Sequence, residues 1–241
     1  MGAFADHVAV VTGASSGVGR AIALALAERG ATVCLVGRDP GRLDSVAAEA
    51  KGRGGALVAH RADLTRDEDV QTLVGLVRGE LRRVDILVHA AAMIELGPLA
   101  SASVDDFDHQ YRTNARAPYA LTQALLPTLR ERKGQVVFIN STAGLGAARG
   151  AGQYAATKHA LRAIADSLRA EVNEDGVRVL SLYLGRTATP MQAAVHEVEG
   201  RPYRPELLIQ PGDVAAVVMC ALSLPRSAEV TEIRMRPLTK T

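Results

Sequence analysis

Tyr154 and Lys158 stand four residues apart in Tyr154-Ala155-Ala156-Thr157-Lys158, inside a helically patterned stretch at 153–172. On a helix that spacing is one turn, so the phenol and the ammonium share a face. A cation beside a phenol favours phenolate and draws the tyrosine down from its ordinary pKa of about 10. A group that titrates near the working pH is what general acid/base catalysis needs. Taken alone, such a pair is an ordinary feature of a helix surface, so its chemistry depends on what the rest of the chain supplies.

What it supplies is a glycine-rich turn, Thr12-Gly13-Ala14-Ser15-Ser16-Gly17-Val18-Gly19. Glycine lets a backbone bend sharply and approach a diphosphate with no side chain in the way. The helix that follows offers free N–H groups and a positive dipole end to the anion. Glycines also mark ordinary turns, but a strand before and a helix after are the context of a dinucleotide site.

These residues need a scaffold, and the chain repeats one pattern: a short β-branched run, then a longer Ala/Leu-rich stretch. Strands are expected at 7–12, 32–37, 56–59, 85–90, 135–141, 177–184 and 232–236. Several are nearly continuous apolar runs, as in strands covered on both faces. Between them, 20–29 is helical and stops at Gly30. Thr65-Arg66-Asp67-Glu68 has the form of a capping box opening a helix toward Arg83. Ser103-Val104-Asp105-Asp106 is a weaker signal of that kind. The 153–172 helix closes at Glu174-Asp175-Gly176, and Pro211-Gly212-Asp213 opens a last helix toward Leu224. This alternation predicts a single-domain α/β fold over 1–241, a doubly wound, mostly parallel Rossmann sheet of about seven strands with helices on both faces. The least patterned interior stretch, 190–205, follows strand six and is expected to be a flap or surface loop beside the substrate.

The Gly-x-x-x-Gly-x-Gly spacing with its Thr-Gly opening resembles the short-chain dehydrogenase/reductase family. Tyr154-Ala155-Ala156-Thr157-Lys158 is similar to that family's Tyr-x-x-x-Lys signature. Ser141, thirteen residues upstream in Asn140-Ser141-Thr142-Ala143-Gly144, resembles its catalytic serine segment. Asn114, in Thr113-Asn114-Ala115, falls where the family keeps a fourth catalytic residue. The resemblance covers essentially the whole chain in the right order. It implies an oxidoreductase that transfers a hydride between a nicotinamide cofactor and a carbonyl or secondary alcohol. Tyr154 would be the acid/base, Ser141 would polarise the substrate oxygen, and Lys158 would hydrogen-bond the nicotinamide ribose and lower the tyrosine pKa. Asn114 would hold a water linking Lys158 to solvent. For Ser141 and Asn114 the plainer readings are a strand-end hydroxyl and a turn residue. Gly13, Ser15, Ser16, Gly17, Val18 and Gly19 would surround the diphosphate, with Ala90, Ala91, Tyr154, Lys158, Thr187 and Thr189 also contacting the cofactor.

An acidic residue ending the second strand would bind the adenosine 2′-hydroxyl and repel a 2′-phosphate. Here Gly37 takes that place and Arg38 follows, a guanidinium suited to a phosphate. NADP(H) is therefore expected over NAD(H); an Arg38 merely paired with Asp39 would leave the preference weak. Asp63-Leu64 resembles the family's adenine contact, with a structural strand-end aspartate as the alternative. Two departures stand out. His89-Ala90-Ala91-Ala92 replaces the family's Asn-Asn-Ala-Gly, with His89 read as structural rather than catalytic, and Leu184-Gly185 replaces Pro-Gly.

The formal net charge of +2 gives no reason to expect a nucleic-acid or membrane partner, and the charged fraction of 22% is ordinary. No apolar run approaches a bilayer span, and the start lacks a signal-peptide pattern. Cys34 and Cys220 are expected as reduced core thiols of a cytoplasmic protein, and the scattered histidines suggest no metal. The family resemblance implies a homodimer or homotetramer, through helices at 104–133 and 153–174. Substrate identity stays open among carbonyls and alcohols, and a catalytically silent nucleotide-binding scaffold or regulatory protein is the alternative function.

Overall fold

A computed structural model describes residues 2–52 and 54–239. Its strands are β1 Val8–Thr12, β2 Thr32–Gly37, β3 Leu57–Arg61, β4 Ile86–His89, β5 Gln135–Ser141, β6 Arg178–Leu184 and β7 Glu232–Met235. Its helices are α1 Gly17–Glu28, α2 Pro40–Glu49, α3 Asp67–Leu76, α4 Val104–Tyr111, α5 Ala117–Glu131, α6 Gly152–Val172, α7 Pro190–Val198 and α8 Pro211–Leu222. The strands form one sheet in the order β3-β2-β1-β4-β5-β6-β7, with every neighbouring pair parallel.

Parallel strands need crossover helices, and these cover both faces of the sheet, which explains why β1 is buried throughout. Successive strand side chains point to opposite faces. Ala9 and Val11 therefore join one core with Ile22 and Leu26 of α1 and Val214 and Val218 of α8. Val10 faces a second core holding Leu73 of α3, Leu121 and Leu125 of α5, and Leu161 of α6. Each fully buried leucine of this kind stabilises the fold by roughly 2 kcal/mol. Chain order reverses between β1 and β4, and such a switch point opens a crevice at the carboxyl ends of the strands.

Several local expectations needed correction. The sequence reading left α2 out, although Asp39 accepts a bond from Arg42 N at 3.1 Å and Pro40 opens the helix. The Thr65–Glu68 capping box does not form. Thr65 Oγ1 donates instead to Asp63 Oδ1 at 2.7 Å, and the helix starts at Asp67. That helix gives way to a wide turn at Val77–Leu81 and stops at Arg82, whose φ is 60°. The stretch at 190–205 is not irregular throughout: Thr189 caps α7 by accepting from Gln192 N at 3.2 Å. Cys34 is buried, with its thiol pushed up to about 12 by burial. Cys220, by contrast, is exposed, because the 3.6-residue period of α8 turns it away while Val218, Met219 and Leu222 face inward. Among the described residues, no helix is long and apolar enough to cross a membrane.

Candidate active site

A cleft of about 490 Å³ opens at the carboxyl ends of β1, β2 and β4 to β6. It is lined by Gly13, Ser15, Ser16, Gly17, Val18, Gly19, Arg38, Asp63, Leu64, Ala90 and Ala91, and by Ser141, Tyr154, Lys158, Thr187 and Thr189. Sixteen of the seventeen residues singled out from sequence therefore meet there. Asn114 alone lies behind the wall, fully buried.

The turn after β1 depends on two glycines. Gly13 has φ 64°, and a Cβ there would lie 2.7 Å from Ala91 N and 2.8 Å from Ala90 C. Gly17 has φ 53°, and its Cβ would meet Thr189 Cγ2 at 2.9 Å. Left-handed backbone and close approach both favour glycine at these points. Ser16, the N-cap of α1, makes no side-chain cap bond. Side-chain capping thus leaves the first-turn N–H groups of α1 unclaimed, as an anion site requires.

Thr12 is a positioning residue that sequence reasoning passed over. Its Oγ1 donates to Val88 O at 3.3 Å and accepts from Ala90 N at 3.1 Å and Ala91 N at 3.2 Å. The end of β1 thereby fixes the segment that follows β4 without any asparagine side chain. His89 points away from the cleft chemistry. Its Nε2 lies 2.8 Å from Thr122 Oγ1, its ring stacks on Phe138, and burial pushes it down to about 3, so it is a neutral structural histidine. Thr12→Val keeps the shape and removes the acceptor for two N–H groups. Each unmet donor costs about 1–3 kcal/mol, which lowers Tm by several degrees in a thermal melt.

Tyr154 and Lys158 lie on α6, and Ser141 ends β5. Ser141 stands close enough to the Tyr154 hydroxyl to draw its pKa down, and its Oγ accepts from Ala143 N at 3.2 Å. Asn140, also unforeseen, braces strand to helix: Nδ2 donates to Lys158 O at 3.1 Å and Oδ1 accepts from Ser141 N at 2.8 Å. The charge balance differs from the simple expectation. Burial pushes the Tyr154 phenol up to about 12 against the downward pull of nearby Ser141, and burial pushes Lys158 down to about 8. The ammonium sits 5.8 Å from the phenol ring centroid and donates to Ile139 O at 3.2 Å, so desolvation outweighs mutual attraction.

Asn114 lies in a wide helical turn, Arg112–Arg116. Its Nδ2 donates to Met93 O at 2.8 Å and Thr157 Oγ1 at 3.1 Å, and its Oδ1 accepts from Met93 N at 2.9 Å. Those bonds use both amide hydrogens and brace the cleft wall at Met93 and Thr157.

At the far end, Arg38 lines the cleft together with Arg42, which sequence reasoning missed. Asp39 pairs with Arg42 at 3.3 Å rather than with Arg38. Burial pushes the Asp63 carboxyl up, but two bonds from Thr65 and the Arg38 charge outweigh it and hold it below the usual range. The bend after β6 is made without proline. Gly185 N donates to Met235 O at 2.8 Å, and Thr187 Oγ1 donates to Gly185 O at 3.0 Å.

The family model described as short chain dehydrogenase matches residues 7–200. The chain belongs to the short-chain dehydrogenase/reductase family. An uncharacterized oxidoreductase of Staphylococcus aureus (strain USA300) is 32% identical over 234 residues, covering 97% of this chain and 98% of that protein. An alcohol dehydrogenase from the archaeon Thermococcus sibiricus, solved with 5-hydroxy-NADP, superposes with a TM-score of 0.89 at 29% identity, covering 98% of each chain. A metagenomic short-chain oxidoreductase solved with NADP gives 0.86 at 30% identity, covering 99% of this chain and 100% of that one. In this short-chain dehydrogenase/reductase the Thr12 hydroxyl holds Ala90 and Ala91 after β4, and a backbone bond from Gly185 to Met235 holds the bend after β6.

Proposed function

We propose that the protein transfers a hydride between NADP(H) and a carbonyl or secondary alcohol, as a carbonyl reductase with Tyr154 as acid/base. The observation that carries this reading is the buried Tyr154 phenol with Lys158 beside it, lining with Ser141 the cleft that the glycine turn also lines. Tyr154 gives its proton to the carbonyl oxygen in reduction and takes it back in oxidation. A phenol held protonated at rest is ready as a donor. Ser141 orients and polarises that oxygen, its hydroxyl fixed by Ala143 N. Lys158 contacts the nicotinamide ribose and lends its charge to the phenol. Asn114 holds a water that links Lys158 to solvent, and it also braces Tyr154 through Thr157, whose Oγ1 donates to Tyr154 O at 2.8 Å.

The bound nicotinamide supplies the hydride, while the protein positions and protonates. The residues fit NADP(H). Gly13 and Gly17 let the turn pack against Ala90, Ala91 and Thr189 at the cleft, and α1 offers its unclaimed N-terminus to a diphosphate. Asp63 and Leu64, which line the cleft, would contact the adenine, and Arg38 and Arg42, which line it too, would take a 2′-phosphate. Arg38→Ala is expected to weaken NADPH binding roughly 10- to 100-fold and leave NADH binding unchanged, followed by cofactor fluorescence. Equal losses for both cofactors would remove the phosphate preference.

The reading includes α7 and the rest of 190–205 as a substrate-covering segment, a single catalytic domain and a cytoplasmic location. Exposed Val104, Tyr111 and Tyr119 on α4 and α5 support assembly as a homodimer or homotetramer, which light scattering checks. The test of the activity itself is NADPH consumption by purified protein with a panel of ketones and aldehydes. No consumption together with tight NADPH binding would leave a silent scaffold.

A further inference from the structure

Beyond the catalytic group, the cleft contains one charged pair with no part in the proposed proton transfer. Arg186 and Glu199 both line it. Arg186 Nη2 donates to Glu199 Oε1 and Oε2, each at 2.8 Å, and both side chains are about one-quarter exposed. The pair uses one nitrogen of the guanidinium. Nη1 has a long contact of 3.5 Å to His196 Nε2, so most of the donor fork is left for another acceptor.

The backbone holds Arg186 in place. β5 pairs with β6 in a register that sets Ser141 beside Leu184, so Arg186 follows two residues after the serine's strand partner. Its carbonyl accepts from Ile209 N at 3.1 Å, and Thr187 bridges to Ile209. Glu199 is attached differently, just past the end of α7, with Gly200 turning the chain at φ 63°. A second cation stands beside it: Arg201 Nη1 lies 3.8 Å from Glu199 Oε2. The same cleft is also lined by Met93, Ile94, Met191 and Val195.

We infer that Arg186 binds a carboxylate on the substrate and that Glu199 occupies its place until the substrate arrives. The inference rests on the oxidoreductase reading and narrows its substrate to short oxo acids and the matching hydroxy acids. Exchange of one carboxylate for another leaves the charge on Arg186 balanced and its charge-assisted bonds intact. Glu199, once released, has Arg201 within reach. A guanidinium forms charge-assisted bonds with a carboxylate that an ester cannot match, so Arg186 favours the acid over its ester. The apolar side chains accommodate the short hydrocarbon between the carboxylate and the carbonyl carbon at Tyr154.

The test compares acetoacetate and levulinate with their methyl esters as substrates for NADPH-dependent reduction. The acids should have the higher kcat/KM, and Arg186→Gln should lower the acid-to-ester ratio roughly 10- to 100-fold. Glu199→Gln should move it the other way by lowering KM for the acids, which a merely structural pair would not do. Esters reduced as well as acids, or a ratio unmoved by Arg186→Gln, would overturn the inference while leaving the enzyme reading intact. If no carbonyl of any kind is reduced, the enzyme reading fails separately. Calorimetry of butyrate against the protein–NADP+ complex then decides the arginine. Binding lost in Arg186→Gln supports the carboxylate site; no binding, or equal binding, rejects it.

Discussion

Tyr154→Phe is expected to lower kcat for every carbonyl the protein reduces by roughly 10²- to 10⁴-fold, or about 3–5 kcal/mol of barrier. The substitution removes one oxygen from a buried ring and leaves its packing in place. Ser141 keeps its bond from Ala143 N, so the strand end holds its shape. NADPH affinity should therefore stay within a few-fold and Tm within a few degrees. Steady-state rates beside a fluorescence titration separate the two quantities. Unchanged turnover would remove Tyr154 from the chemistry, and a silent wild type that binds NADPH would favour the scaffold reading.

Gly13→Val should abolish detectable NADPH binding and lower stability at the same time. A β-branched residue at φ 64° is strained by about 1–2 kcal/mol before any contact is considered. The atoms its Cβ would meet at 2.7–2.8 Å are backbone atoms of Ala90 and Ala91, which Thr12 ties to the end of β1. Relief thus requires moving the cleft floor itself, with a loss of at least ~100-fold in affinity. Gly75→Ala is the contrasting case, since its Cβ meets nothing within 4 Å on α3. It should leave binding alone and raise stability by about 0.5–1 kcal/mol, because alanine loses less entropy in a helix. A Gly13→Val protein that still binds NADPH normally would show that the diphosphate does not sit at this turn.

The features legible in sequence are those whose physical signal is local to the chain. Continuous apolar runs mark strands covered on both faces, and β2 and β5 fall where those runs do. The glycine turn and the one-turn spacing of Tyr154 and Lys158 are local geometry, so their meeting in one cleft follows once the alternating fold is accepted. Local signals also mislead where two partners compete. Thr65 has the form of a cap, but Asp63 takes its hydroxyl.

Only the tertiary structure decided which residues hold the site and how it is charged. Thr12 reaches the Ala90 and Ala91 N–H groups across more than seventy residues of chain, and Asn140 meets Lys158 only because β5 ends against α6. Neither partnership has a spacing to recognise. Protonation follows the same rule. Adjacency alone argues for a lowered tyrosine pKa, yet burial raises Tyr154 and lowers Lys158, because desolvation depends on everything packed around a group. The pairing of Arg186 with Glu199, thirteen residues apart on either side of α7, likewise exists only because the chain returns at the end of that helix.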